Sequence, residues 1–296
     1  MKRFQYKPHE YVAHYTRIEI ALGCILKNNQ LRLGPFIETN DPRETKTWMF
    51  SVGFPSLQLR KPSLTEGKIK NWIDRRDEYD SKIKHGYKIL CVSQDDPDAS
   101  GRYYFQHAYD RPRMWAQYAG NHTGVCLLFR KRLLNEVIEQ RFSGLVTSGL
   151  VSYGDIHMPG HRDWDEFLNA FTISATELEE RGFQAALEQH RDRHLKTFFF
   201  QKNKDWETEA EFRWIVRGET NDPEFIPIDQ ALHAIVVGMD FPAERIAEVH
   251  EYSRRFDAHI ARAFWVNGEP KVRWFAPSEL SAVESQESLQ AYNLQS

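Results

Sequence analysis

A chain of 296 residues that is 41% hydrophobic, with 39 basic against 42 acidic side chains and a formal net charge of -3, has ample apolar content for a core, and its balanced charge excludes global attraction to nucleic acid or anionic lipid. Thirteen per cent aromatic residues, among them eight Trp and nineteen Phe, exclude disorder over most of the length, and no apolar run reaches signal-peptide or membrane-span length. Three widely spaced cysteines, Cys24, Cys91 and Cys126, stand in apolar surroundings such as "GVCLLF" and read as buried free thiols, so a cytoplasmic protein that neither spans nor crosses a membrane is expected.

In chain order, "YVAHYTRIEIALGCILKNNQLRLGPF" predicts a strand over Tyr11 to Tyr15, a helix carrying Ile18, Ala21, Leu22, Ile25 and Leu26 at helical spacing, and a second strand over Leu31 to Leu33. "ETNDPRE" (38 to 44) is a turn by its Asn-Asp-Pro chemistry, and residues 63 to 84 form a polar helix capped at Ser63 or Thr65. "YKILCVSQ" (87 to 94) and "GVCLLFR" (124 to 130) are buried strands, separated by a short helix in "RPRMWAQYAG" that Gly120 ends. A helix at 132 to 141, a strand at 147 to 153 and a long amphipathic helical region from about Trp164 to Phe200 follow. "HAIVVGMDFPAERIAEVHEYSRRF" (233 to 256) is strand, turn and helix, and "ARAFWV" with "KVRWFA" closes the fold as paired strands around "NGEP". One α+β domain over residues 1 to 276, with helical insertions near 63 to 84 and 160 to 200, and a polar tail over 277 to 296 are expected.

The chemistry-bearing stretch is "WETEAEFRWIV" (206 to 216). Read as one β-strand, its even positions are mostly apolar, while Glu207, Glu209 and Glu211 fall on the other face, either a solvated face or a site that needs a carboxylate. Glycine-rich phosphate loops, zinc-spaced cysteine pairs and a Gly-x-Ser-x-Gly elbow are absent from the sequence. "HMPGH" (157 to 161) holds a Pro-Gly between its histidines, and "HRDRH" (190 to 194) offers only two ligands on what reads as a solvated helix face, so no metal site is assigned.

Four stretches together, "HYTRIEIALGCILKNNQLRLG" with "NDPRE", "ILCVSQ", "MWAQYAGNHTGVCLLF" and "FFFQKNKDWETEAEFRWIV", resemble the bacterial family called domain of unknown function 2971, in order from about Tyr11 to Gly238. A more distant resemblance is to the ADP-ribosyltransferase superfamily, in which a first strand carries a His followed by Ser or Thr, a helix after the second strand carries a Tyr, and a later strand carries a Glu. "HYT" supplies His14 and Thr16, "MWAQYA" supplies Tyr118, and "EAEFRWIV" supplies Glu211 with Glu209 in a Glu-x-Glu spacing. Tyr15 stands where superfamily members often have Gly. The resemblance implies an α+β fold with a mixed, mostly antiparallel split sheet and a cleft between the faces carrying His14 and Glu211.

It also implies NAD as substrate. Glu211 would stabilise the oxocarbenium-like ion formed when nicotinamide leaves, and Glu209, about 6 to 7 Å further along the same strand face, would orient or deprotonate the incoming nucleophile. His14 would bond a ribose hydroxyl, the backbone of Tyr15 and Thr16 would meet the carboxamide, and Tyr118, or Trp115 in its place, would stack on nicotinamide. Asn40 and Asp41 would contact ligand at the mouth of the cleft, and Lys202 or Lys204 would meet the pyrophosphate. Each also has a plain structural reading, as turn, sheet-edge or core residues. The leading expectation is an NAD-using ADP-ribosyltransferase-like enzyme or NAD glycohydrolase, an effector in bacterial defence or conflict, acting on a protein or nucleic-acid acceptor that the sequence does not name. The alternatives are a divalent-metal phosphodiesterase or nuclease built on His14, Asp41, Glu209 and Glu211, and a non-catalytic module binding a nucleotide or a protein.

Overall fold

The computed structural model describes residues 6–7, 9–53, 66–95, 107–154, 164–267 and 269–275. Its strands, in chain order, are β1 (Tyr11–Thr16), β2 (Gln30–Pro35), β3 (Ser51–Gly53), β4 (Tyr87–Ser93), β5 (Val125–Arg130), β6 (Val146–Leu150), β7 (Ser152–Tyr153), β8 (Thr172–Ser174), β9 (Gln201–Lys202), β10 (Glu211–Arg217), β11 (Glu224–Pro227), β12 (Leu232–Val237), β13 (His259–Val266) and β14 (Glu269–Phe275). The main sheet runs β11-β2-β4-β1-β5-β12-β13-β14, with β10 beside β4 and β6 beside β10. Its pairings are antiparallel except β12 with β13, which the helix Ile246–Phe256 joins as a crossover. This is a mixed α+β architecture on a mostly antiparallel open sheet. No helix among the described residues is long and apolar enough to cross a membrane.

The sheet divides at β4. One edge of that strand pairs Ser93 with Ala13 of β1 and, further along, Ile89 and Lys88 with Gly34 and Pro35 of β2, while the other edge takes all of β10 from Glu211↔Ser93 to Arg217↔Tyr87. β1 and β2 therefore separate at Cys91. There the His14 ring takes the place of a strand partner, with Nδ1 3.4 Å from the Cys91 carbonyl oxygen. At the far end of the β4–β10 pair, Gly86 holds φ +81° and the Gly218 amide donates to its carbonyl at 2.9 Å. A Cβ at Gly86 would stand 2.1 Å from the Gly218 oxygen, so only glycine fits.

Alternation sorts the core. Phe212, Trp214 and Val216 of β10 join Leu90 and Val92 of β4, Val12 of β1 and Leu127 of β5 in the largest apolar cluster on one face, covered by the helices Lys131–Arg141 and Ile246–Phe256. On the other face Ile215, Ile89 and Tyr87 pack with Trp48, Tyr79, Phe198 and Phe199, whereas Ala13, Tyr15 and Leu128 pack with Tyr109, Met114 and Trp115. β5 and β12 are apolar at nearly every position because both of their faces are covered.

Several predicted elements change form. The amphipathic region from Trp164 breaks into the helices Trp164–Ala170, Ala175–Arg181, Phe183–Arg193 and Leu195–Phe199, because Ser174 caps a new start by accepting from the Glu177 amide and Gly182 turns the chain at φ +79°. The polar helix over 66–84 is two, Glu66–Asp74 and Arg76–Lys84, and its proposed caps at Ser63 and Thr65 lie outside the described residues. "NDPRE" is a helical turn, Pro42–Thr45, with Asp41 as N-cap and Pro42 in the first turn, the two residue types that favour a helix start. The first helix continues as a π-helix over Ala21–Leu26, and Cys24, expected to be buried, is exposed. "HMPGH" lies outside the described residues, and the "HRDRH" face is not solvated, since His190 and Arg191 are buried.

Candidate functional site

The eleven-residue stretch read as one strand is two structures. Lys204–Glu209 is a 3-10 helix, Ala210 follows in the left-handed region at φ 41°, and only then does β10 begin. Three acids in a row on one strand face would repel; the left-handed residue instead turns Glu209 so that a single cation meets it and Glu211 together. Lys202 Nζ lies 2.8 Å from Glu209 Oε2 and 2.8 Å from Glu211 Oε2. The solvated-face reading fails with the strand, because Glu209 and Glu211 are each 3% exposed.

From this pair an ionic array runs inward and outward. Inward, Arg213 holds both Glu211 oxygens, Nε to Oε1 at 2.5 Å and Nη2 to Oε2 at 3.1 Å, and its Nη2 lies 2.5 Å from Glu44 Oε1. The Glu211 amide donates to Tyr153 Oη at 2.8 Å. Outward, Tyr118 Oη donates to Glu209 Oε1 at 2.5 Å and accepts from Asn40 Nδ2 at 2.5 Å, and Asn40 is exposed. The arginine at 111 fastens the 3-10 turn to the end of β4, with Nη1 on the Thr208 carbonyl at 3.1 Å and Nη2 on the Gln94 carbonyl at 2.7 Å. Exposed Arg113 bonds the Asp205 carbonyl beside it.

Burial alone would push the Glu211 carboxyl up; the charges of Arg213 and Lys202 and their hydrogen bonds outweigh it and bring the group down to about 2. Burial likewise opposes the Lys202 charge, but Glu211, Glu209 and Glu44 hold its pKa above the ordinary lysine value. Glu44 is the opposite case, with burial outweighing Arg213 and Lys202 so that its carboxyl sits above its usual range. Burial lowers Arg43 to about 10, against the attraction of Asp41 and Glu44. Arg43 Nη2 donates to the Thr197 carbonyl and to Gln201 Oε1, both at 3.1 Å, while Arg43 Nη1 and Asp41 Oδ2 are buried with no hydrogen-bond partner. Burial and then the neighbouring Glu209 charge push the Tyr118 hydroxyl upward, so it stays a donor.

Of the residues singled out by sequence, Glu209, Glu211, Tyr118, Asn40 and Lys202 meet in this array, and Asp41 caps the helical turn that carries Glu44. The others do not join it. Ala13 pairs with Ser93 and Ser93 with Glu211, so odd residues of β1 share the Glu211 face while His14 and Thr16 project from the other. The expected cleft between His14 and Glu211 is therefore corrected: the sheet lies between them. Tyr15 is on the right face but buried, its hydroxyl donating to the Ala108 carbonyl and its ring edge-on to Trp115. Trp115 is a core residue, 2% exposed, with Nε1 on the Tyr109 carbonyl. Sequence reasoning missed Arg213, Glu44 and Tyr153. Arg213 was legible as the partner of a Glu two residues earlier on a strand face, whereas Glu44 and Tyr153 reach the array only through the tertiary fold.

The metal alternative also loses its ligand set. His14 lies across the sheet, Lys202 and Arg213 already occupy the carboxylates, and among the described residues no group of three or more His, Cys, Asp or Glu is placed to hold a metal ion.

Residues 114–214 match the model of a family described as "Protein of unknown function (DUF2971)". The matched segment spans Tyr118, Lys202, Glu209, Glu211 and Arg213 and leaves Asn40 and Glu44 outside. No curated protein and no solved structure matches the chain.

Proposed function

We propose that the protein consumes NAD, breaking the nicotinamide–ribose bond and passing ADP-ribose to an acceptor hydroxyl or to water at the outer end of the ionic array. The observation that carries this reading is the position of Glu209: a carboxylate held between the Lys202 ammonium and the Tyr118 hydroxyl, two hydrogen bonds beneath exposed Asn40. Bond cleavage moves the C1′–N electron pair onto the ring nitrogen, neutralises the pyridinium and leaves C1′ as an oxocarbenium-like cation. A preorganised carboxylate facing that cation lowers the barrier, and it takes the proton of the hydroxyl that attacks C1′.

Glu211 has a different task from the one its strand position suggested. With both oxygens bonded to Arg213 and one also near Lys202, it fixes the ammonium that fixes Glu209 and is a positioning residue. Tyr118 offers its ring to nicotinamide and its hydroxyl to Glu209, and a ligand reaching Glu209 replaces the Asn40–Tyr118 contact. Exposed Arg113, beside the turn that carries Glu209, is the cation for a pyrophosphate.

The test is free nicotinamide, quantified after incubation of purified protein with NAD and a chelator. Turnover under chelation is expected. Absence of both nicotinamide release and an NAD-dependent rise in Tm would overturn the reading; a rise in Tm without release would move the array to the non-catalytic binding module.

A further inference from the structure

Where β1 and β2 separate, the sheet opens on a cavity of about 490 Å³. That volume suits one small-ring molecule. Its apolar wall includes Ile20 and Phe225, which are 45% and 39% exposed, so two of the large hydrophobic side chains left in solvent border one opening. Another part of the wall, Cys24 and Ile25, comes from the π-helix Ala21–Leu26, a form uncommon outside functional sites. Arg32 at the rim is paired with Glu38 at 2.7 Å, so the opening presents no uncompensated charge from that pair.

His14 also lines the cavity. A carbonyl oxygen only accepts, so the contact with the Cys91 oxygen places the proton on Nδ1 and leaves Nε2 as an acceptor. Nε2 has no partner among the described residues. Burial lowers the His14 pKa and keeps the ring neutral.

We propose that this cavity is a binding site for a small neutral molecule with an apolar ring and one hydroxyl or N–H donor, the ring against Ile20, Ile25 and Phe225 and the donor on His14 Nε2. The site has no lining residue in common with the ionic array and does not depend on NAD chemistry, so either reading stands if the other fails.

Cys24 reports occupancy, because its thiol is exposed and lines the cavity. Cys91 and Cys126, whose thiols burial pushes far above the ordinary value, serve as internal controls. The full chain is alkylated with iodoacetamide in the presence of p-cresol or of toluene, and each cysteine is followed by peptide mass spectrometry. We expect p-cresol to slow Cys24 modification at concentrations roughly fivefold to tenfold below those toluene requires, the value of one hydrogen bond. In His14→Phe the two probes become equivalent. Gly34→Leu, which adds an isobutyl group to the cavity wall with its new Cβ 3.7 Å from the Arg32 side chain, abolishes protection by both. Unchanged Cys24 alkylation with p-cresol, or equal protection by toluene in the wild-type protein, overturns the proposal.

Discussion

Lys202 is the residue on which the candidate site turns, since one ammonium serves two buried carboxylates. Lys202→Met leaves Glu209 without its cation and Glu211 with Arg213 alone, and a broken buried ion pair costs about 3 to 5 kcal/mol. A urea midpoint shift of that size is expected; a loss under about 1 kcal/mol would mean that water already reaches the pair. Glu211 gives the array a pH signature. Its folded pKa of about 2 lies below the ordinary 4.5, so its stabilisation is complete above pH 4.5 and disappears as pH falls toward 2. The difference corresponds to about 3 kcal/mol. Glu211→Gln is therefore less stable than wild type at pH 7 and loses less further stability between pH 4.5 and 3; an equally steep acid limb in both proteins would place the titration elsewhere. His194 and His233, each held down to about 4 by burial, add stability that is lost as pH falls from 6.5, above the Glu211 window.

At the scale of elements, two backbone positions decide where β10 begins and how it is held. Ala210 occupies the left-handed region, which costs a non-glycine residue about 1 kcal/mol, and a β-branched side chain there costs more. Ala210→Gly should leave thermal stability nearly unchanged, because relief of strain offsets the greater freedom of the unfolded chain, and Ala210→Val should lower it by about 2 kcal/mol. Equal stability of the two variants would contradict the left-handed turn and restore the single strand. Gly86→Ala is expected to cost about 2 to 4 kcal/mol, since it combines an unfavourable φ with a clash against the Gly218 carbonyl. The same positions explain what the sequence hid. "WETEAEFRWIV" alternates with period two throughout, and nothing in that pattern tells a strand from a 3-10 turn followed by one left-handed alanine. "NDPRE" misled in a related way, because Asp-Pro starts a helix as readily as a turn.

Across the whole molecule, apolar runs were the most legible feature. β5 and β12, buried on both faces, and the antiparallel β13–β14 pair stand where continuous hydrophobic stretches and the intervening "NGEP" put them. The amides of β5 and β12 should exchange with solvent only through global unfolding, whereas those of the edge strands β6, β11 and β14 exchange faster; uniform protection across the sheet would contradict this order. The placement of β1 relative to β10 was misread. A His and a Glu on two strands that both pair with β4 were assigned to one cleft, although which face each occupies depends on register, and a single-residue shift exchanges the faces. Register is a property of the paired strands and could not be taken from either segment alone. Cys91 nevertheless stands between the two candidate sites, its carbonyl on His14 and its register partner Arg213 on Glu211.

Nicotinamide release from NAD by Glu209→Gln and by wild type, under chelation and with folding checked by Tm, decides whether Glu209 acts in the chemistry. A fall of roughly 100-fold or more is expected in folded Glu209→Gln, assayed below its own Tm, the cost of removing a group aimed at charge that develops in the transition state. Release at the wild-type rate by Glu209→Gln would contradict it, since the carboxylate beneath Asn40 and Tyr118 would then have no part in the chemistry.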